Sequence, residues 1–137
     1  MIRWEALRSY FPPESGPNVF VKMDIEGAEY DVLPELLRDA PRMSGMVIEF
    51  HQCGQRWPEF ARAMDTLQHA FAIVHIHGNN LESLIPDSDV PRTMEVTVVN
   101  RTLLRGALTP SSAAYPISRL DQPNNAIRPD YPLVFDR

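Results

Sequence analysis

The stretch that decides the fold is Val19-Phe-Val-Lys-Met-Asp-Ile-Glu-Gly-Ala-Glu-Tyr-Asp-Val-Leu33. Its alternating first part predicts a β-strand over residues 19–24. The apolar spacing that follows predicts a helix over residues 28–38, joined to the strand by a tight turn at Gly27. Pro34 should kink this helix or open a second piece of it, because proline has no backbone N–H to donate.

Acidic residues crowd the junction between that strand and that helix. Ligands of an open α/β sheet bind beyond the carboxyl ends of its strands, so Asp24 and Glu26 lie where chemistry is expected. A carboxylate there could accept a proton or coordinate a divalent metal ion through its oxygens. Glu29 and Asp31 are better explained as acids that stabilise the positive end of the helix dipole.

The rest of the pattern predicts an α/β layer with a mostly parallel sheet. Apolar runs predict strands at 46–51, 72–77 and 93–100, and the stripe that ends at Phe71 predicts an amphipathic helix from Pro58. We expect the first three strands to be parallel neighbours. The last strand should be antiparallel, because no helix of useful length precedes it.

Composition limits the classes of protein that remain. The chain has 137 residues and a net charge of −5, which predicts one domain and argues against a nucleic-acid partner. No apolar run is long enough to cross a membrane, and the lone Cys53 favours a reducing, cytoplasmic setting. Residues 3–9 suggest a short helix. The 13 prolines and the turn-forming residues beyond 100 predict an extended C-terminal tail over 101–137. We expect this tail to wrap around the body through Ile127, Leu133, Val134 and Phe135.

The junction also resembles a known signature. Val21-Lys-Met-Asp-Ile-Glu-Gly-Ala-Glu-Tyr-Asp-Val-Leu33 is similar to the strand, acidic turn and short helix of FkbM-type methyltransferases, which are S-adenosylmethionine-dependent O-methyltransferases of the Rossmann-like class. Val47-Ile-Glu-Phe-His51 is similar to the next strand of that family. His75-Ile-His-Gly-Asn-Asn80 is similar to the segment that closes the strand after it. The resemblance runs from about residue 19 to residue 100.

The resemblance implies methyl transfer from S-adenosylmethionine to a hydroxyl of a sugar or small natural product. Asp24, Glu26 and His51 would be catalytic residues on the acceptor side, and Asp24 would also contact the cofactor. The chain is similar only to strands four to seven of the fold and contains no Gly-x-Gly. It is therefore expected to be a single partial domain, 1–137 with its α/β core at 19–100, that lacks the N-terminal cofactor-binding half.

Several other polar residues have a structural and a functional interpretation. Lys22 and Glu49 lie in the middle of adjacent predicted strands, and a buried ion pair is the simpler expectation. His51, His75 and His77 have no compact metal-ligand spacing, so polar lining of a cleft is favoured over a metal site.

A substrate-binding role is predicted for three residues near the end of the third strand. His77 lies at a carboxyl end, and the resemblance extends this role to Asn79 and Asn80. Either asparagine could instead serve only as a turn residue, because asparagine tolerates the left-handed backbone conformation.

Two other classes of function remain open. A sheet whose first strand lacks a partner exposes an edge, which would suit a non-catalytic interaction module. A metal-dependent hydrolase that uses the histidines and acids would require a pre-formed ligand set. The sequence leaves the acceptor and the oligomeric state open.

Overall fold

The computed structural model describes residues 16–135, so the helix predicted at residues 3–9 lies outside the described part. The described residues form four strands and two α-helices. They are β1 (Val19–Met23), α1 (Glu29–Leu36), β2 (Met43–Phe50), α2 (Trp57–Ala70), β3 (Phe71–Gly78) and β4 (Met94–Asn100). All four predicted strands and the two helices predicted within residues 16–135 are confirmed, with shifts at their ends.

The strands form one mixed sheet in the order β1-β2-β4-β3. β1 and β2 are parallel, whereas β4 runs antiparallel to both β2 and β3. The predicted neighbourhood of β2 and β3 is therefore wrong, and so is the mostly parallel pairing. Since β4 opposes both of its neighbours, β1, β2 and β3 still point the same way and their carboxyl ends lie along one edge.

β4 can occupy an inner position because of its alternating pattern. Its residues alternate between buried and partly buried, so one face enters the core and the backbone is free to pair on both sides. The chain between β3 and β4 is only a loop, which forces the antiparallel direction that the sequence predicts.

The core lies between the sheet and the two helices. Phe50 of β2 is at its centre, with ring centroids 5.4 Å from Tyr30 of α1 and 5.4 Å from Phe60 of α2. Pro34 lies inside α1, which tightens after Leu36 into a 3-10 turn over Leu37–Arg42. The other fully buried apolar side chains include Leu36, Met43, Met46, Ile48, Leu67, Phe71, Val96 and Val98.

The C-terminal tail packs differently from what its apolar residues predict. Ile127 and Val134 are 93% and 88% exposed, so they do not anchor the tail. Polar contacts help to attach it, among them that of Asp121 with His75 at 2.6 Å, and the ring of Tyr115 packs against both His75 and Phe135. Within residues 16–135, no helix is long and apolar enough to cross a membrane.

Candidate functional site

The turn after β1 carries the acids that the sequence singles out. Glu26 has φ +56° and Gly27 has φ +99°, so two successive residues adopt the left-handed region. Such a conformation costs a non-glycine residue about 1–2 kcal/mol, and strain of this kind concentrates at functional sites. The turn reverses the chain directly after Asp24 and lets α1 begin at Glu29.

Parallel pairing of β1 and β2 brings the two strand ends together. His51 directly follows β2, and its Nε2 lies 3.8 Å from Asp24 Oδ1 and 3.6 Å from Glu26 Oε2. The convergence predicted for these three residues is therefore confirmed. We call them the strand-end cluster. Glu26 is 87% exposed and Asp24 38% exposed, whereas His51 is only 12% exposed, so the cluster opens to solvent on its acidic side.

Glu29 fixes the orientation of the His51 ring through the nitrogen that faces away from the cluster. Its side chain is fully buried, and its Oε1 lies 3.0 Å from Nδ1 of His51. The same oxygen accepts hydrogen bonds from the backbone N–H groups of Ile25 and Gly27, each at 3.1 Å. An ionised carboxylate can only accept, so Nδ1 donates to Glu29, and in the neutral ring Nε2 presents its lone pair to the cluster. Oε2 of Glu29 is buried without a hydrogen-bond partner.

The acids around His51 control its ionisation. Burial lowers the pKa of His51, but its hydrogen bond to Glu29 and the negative charges of Glu29, Glu49 and Glu26 outweigh burial. The net result is a pKa raised above the ordinary histidine value.

Glu49 extends the polar surface from the cluster towards β3. Its Oε1 lies 3.9 Å from His51 Nε2 and accepts a 2.7 Å hydrogen bond from Nδ2 of Asn79. Burial raises the pKa of Glu49, with further increases from Asp24 and Glu95, although the Asn79 hydrogen bond opposes them. Asn79 is therefore one side chain away from the cluster.

The predicted buried pair of Lys22 and Glu49 is wrong. Lys22 is exposed to solvent, so it is not part of a buried pair. In the parallel register it is aligned with Val47 and not with Glu49. Glu49 is partly buried and takes its hydrogen bond from Asn79.

The other two histidines of the sheet belong to β3 and contact acidic residues of the C-terminal tail. His75 contacts Asp121, and His77 contacts Asp130 through Nε2 at 2.9 Å. His77 is at the carboxyl end of β3, on the same edge of the sheet, but its ring is paired with Glu95 and Asp130 and not with a residue of the cluster. The sheet histidines do not converge on one metal site. Asn80 is fully buried, and its Nδ2 donates to carbonyl groups of tail residues.

Glu29 is the residue of the candidate site whose contact sequence reasoning misses. The sequence assigns it to the helix dipole, and its position in the first turn of α1 agrees with that assignment in part. Its complete burial and its contact with His51 give it a second role, because it links α1 to the end of β2. The contact spans 22 positions in the chain, so no local pattern reveals it.

The chemistry open to the cluster follows from its donor atoms. Asp24, Glu26 and His51 each offer one ligand atom, and these atoms all lie within 4.8 Å of one another. Two carboxylates and an imidazole can accept a proton, position a hydroxyl or hold a cation. Cys53 is close to Tyr30 in the core, and burial raises the pKa of its thiol to about 11, which opposes a nucleophilic role.

An α/β sheet with polar residues at the carboxyl ends of its parallel strands defines a class of ligand-binding and catalytic domains. Comparison with known families is more specific, since residues 8–73 match the model of the methyltransferase FkbM domain. This segment contains the whole strand-end cluster and is similar to FkbM methyltransferase domains. No curated protein and no solved structure matches the chain.

Proposed function

We propose that this protein takes part in S-adenosylmethionine-dependent methyl transfer to a hydroxyl of a sugar or small natural product. The observation that carries the proposal is the meeting of Asp24, Glu26 and His51 at one strand edge, inside the segment that matches the methyltransferase family. Methyltransferases mainly position their two reactants and assist proton removal. An open, acidic edge with one oriented imidazole suits both tasks.

The catalytic roles proposed for the cluster are on the acceptor side. S-adenosylmethionine, when bound, supplies a methyl group on a sulfonium, whose carbon–sulfur bond breaks as the carbon–oxygen bond forms. Asp24, Glu26 and His51 would orient the acceptor hydroxyl and draw away its proton. Glu29 would act as a positioning residue, because it holds the His51 ring with Nε2 towards the cluster.

The residues fit only part of the cofactor. The carboxylate of Asp24 suits the positive sulfonium end, and we propose that it contacts the cofactor there. The adenosine and amino-acid ends need a Gly-rich turn and acids of the kind that follow the first strands of such folds, and this sequence has no Gly-x-Gly. We therefore propose that the chain corresponds to strands four to seven, and that a preceding half supplies the other contacts.

We also propose that His77, Asn79 and Asn80 bind substrate. The structure around the three residues differs, and so does the support for each. Asn79 is joined to the cluster through Glu49. His77 and Asn80 are occupied by tail residues, so their use would require the tail to move. We also propose a cytoplasmic setting and a small-molecule partner, without nucleic acid or membrane.

Calorimetric titration with S-adenosylmethionine tests the proposal. A chain extended upstream should bind the cofactor, whereas the 137-residue chain should bind it weakly or not at all. In the extended chain, Asp24→Asn should reduce affinity and Asp31→Asn should not, because the latter removes the same charge outside the cluster. Tight binding by the 137-residue chain would disprove the partial-domain proposal.

An interaction module remains the second candidate because of one observation. Within the described sheet β1 pairs only with β2, so its outer edge has no strand partner. An open edge can pair with another chain. Failure of the extended chain to bind S-adenosylmethionine would favour this candidate.

A further inference from the structure

The geometry points to a divalent cation site formed by Asp24, Glu26 and His51. The sequence favours polar lining over metal binding for His51, His75 and His77. The strand-end cluster is a different set of ligands, because it combines one imidazole with two carboxylates at the ends of two parallel strands.

The spacing of the donor atoms suits a shared ion. His51 Nε2 lies 3.8 Å from Asp24 Oδ1 and 3.6 Å from Glu26 Oε2, beyond hydrogen-bond distance. Bonds of about 2.1 Å to one ion allow ligand atoms to be up to about 4.2 Å apart. The exposed side chain of Glu26 can rotate to close the remaining distance.

Glu29, the buried residue that contacts the other nitrogen of the His51 ring, also supports a cation site. Histidines that bind metals almost always donate their other ring N–H to a carboxylate or carbonyl, which fixes the ring and its tautomer. Glu29 makes this contact with Nδ1 at 3.0 Å and leaves Nε2 as the free ligand atom. Glu29 is fully buried and its Oε2 has no partner, so its negative charge is only partly compensated.

The charge balance also calls for a cation. Asp24, Glu26, Glu29 and Glu49 all lie within 3.9 Å of one imidazole ring. No lysine or arginine among residues 16–135 forms an ion pair with any of these four acids. Arg56, which is near the turn, instead donates to the Gly27 carbonyl and pairs with Asp31 and Glu59. A divalent ion would offset the repulsion among the acids.

Two carboxylates and one imidazole are suited to an ion of intermediate preference, such as Mn²⁺. Three protein ligands leave coordination positions for solvent or for a ligand oxygen on the exposed side of Glu26. A role in holding the acceptor hydroxyl rests on the proposed function, whereas binding of the ion does not.

Titration of the 137-residue chain with MnCl₂, followed by the electron paramagnetic resonance signal of free Mn²⁺, tests the site. We expect one bound ion per chain, and Asp24→Asn or Glu26→Gln should weaken its affinity at least about tenfold. Both side chains are exposed, so these variants should fold. Glu29→Gln should weaken affinity by about 10–100-fold, the usual effect of losing the residue behind a ligand.

Asp31→Asn is the matched control, since it removes an equal charge from the first turn of α1, outside the cluster. Equal weakening by Asp31→Asn, or the absence of a stoichiometric ion, would overturn the site. The result is independent of methyl transfer. If the extended chain binds Mn²⁺ but not S-adenosylmethionine, the metal site is retained and the proposed function is rejected. If it binds S-adenosylmethionine but not Mn²⁺, the proposed function is retained and the metal site is rejected.

Discussion

Glu29 holds His51 in place, with its Oε1 3.0 Å from the Nδ1 of the imidazole ring. The two residues belong to different elements, since Glu29 begins α1 and His51 directly follows β2. The same carboxylate oxygen accepts from the backbone of the turn after β1. One buried side chain thus joins the strand ends, the turn and the helix, and fixes the geometry of the strand-end cluster.

Replacement of this carboxylate should be costly. Glu29→Ala leaves the N–H groups of Ile25 and Gly27 without their acceptor, and the expected loss is about 3 kcal/mol in the free energy of unfolding. Glu29→Gln keeps one acceptor oxygen and should lose less. Urea denaturation measures both. Asp31→Asn, on the exposed side of the same helix, should stay within about 0.5 kcal/mol of the parent chain. Equal stability of the parent chain and Glu29→Ala would contradict the role assigned to Glu29.

The turn at Gly27 should not tolerate a side chain. Its φ of +99° strains any other residue, so Gly27→Ala should lower the free energy of unfolding by about 1–2 kcal/mol. A Cβ there would also lie 3.3 Å from Nε2 of Gln52, beside His51.

Gly106→Ala separates these two effects. Gly106 has a similar φ of +83° but nothing within 4 Å of an added Cβ. Thermal unfolding of both variants should show at least as large a loss for Gly27→Ala. A neutral Gly27→Ala would mean that the turn can relax without cost.

Part of the site follows from sequence because it depends on local patterns and one general rule. Alternation locates β1 and β2, and the rule that ligands bind at the carboxyl ends of strands places Asp24, Glu26 and His51 together. The contact of Glu29 with His51 depends instead on how α1 packs against the sheet, and no local pattern encodes that. The expected Lys22–Glu49 pair is wrong because the exposure of Lys22 depends on what covers that side of the sheet.

The order of the strands in the sheet also could not be predicted from the sequence. The short connection predicts that β4 is antiparallel, but not that it pairs with β2 as well as β3. Pairing with β2 joins residues more than 40 positions apart and is decided by the complete core. The tail shows the same limit. Its apolar residues predict packing, but Ile127 and Val134 are exposed, and the contact of His75 with Asp121 joins residues 46 positions apart that no local pattern links.

Asn100 should stabilise the join between β4 and β2. It is buried, and its Nδ2 donates to the carbonyl groups of Ala40 at 3.0 Å and Met43 at 2.8 Å. Asn100→Ala should therefore lower the free energy of unfolding by about 2–3 kcal/mol, because both carbonyl groups lose a buried donor. Asn124→Ala, at an exposed residue that contacts Glu95, should change it by less than about 0.5 kcal/mol. Chemical denaturation compares the two, and equal losses would refute the assignment.

The attachment of the tail at His77 should depend on pH. Burial lowers the pKa of His77, but the hydrogen bond to Asp130 and the charges of Asp130, Asp121 and Glu95 raise it more, so the net pKa is above the ordinary value. A histidine whose folded pKa is raised stabilises the fold fully below its unfolded pKa of about 6.5. This stabilisation is lost as pH rises through the folded value.

The imidazole signal of His77 in a proton NMR titration should therefore have its midpoint above about 6.5. Asp130→Asn removes the largest stabilising partner of the charged ring, so it should lower the midpoint and flatten the loss of stability above that pH. Asp89→Asn removes an equal charge from the loop before β4 and should leave the midpoint unchanged. A midpoint that does not respond to Asp130→Asn would show that the 2.9 Å contact between Nε2 and Oδ2 does not hold the tail on β3 in solution.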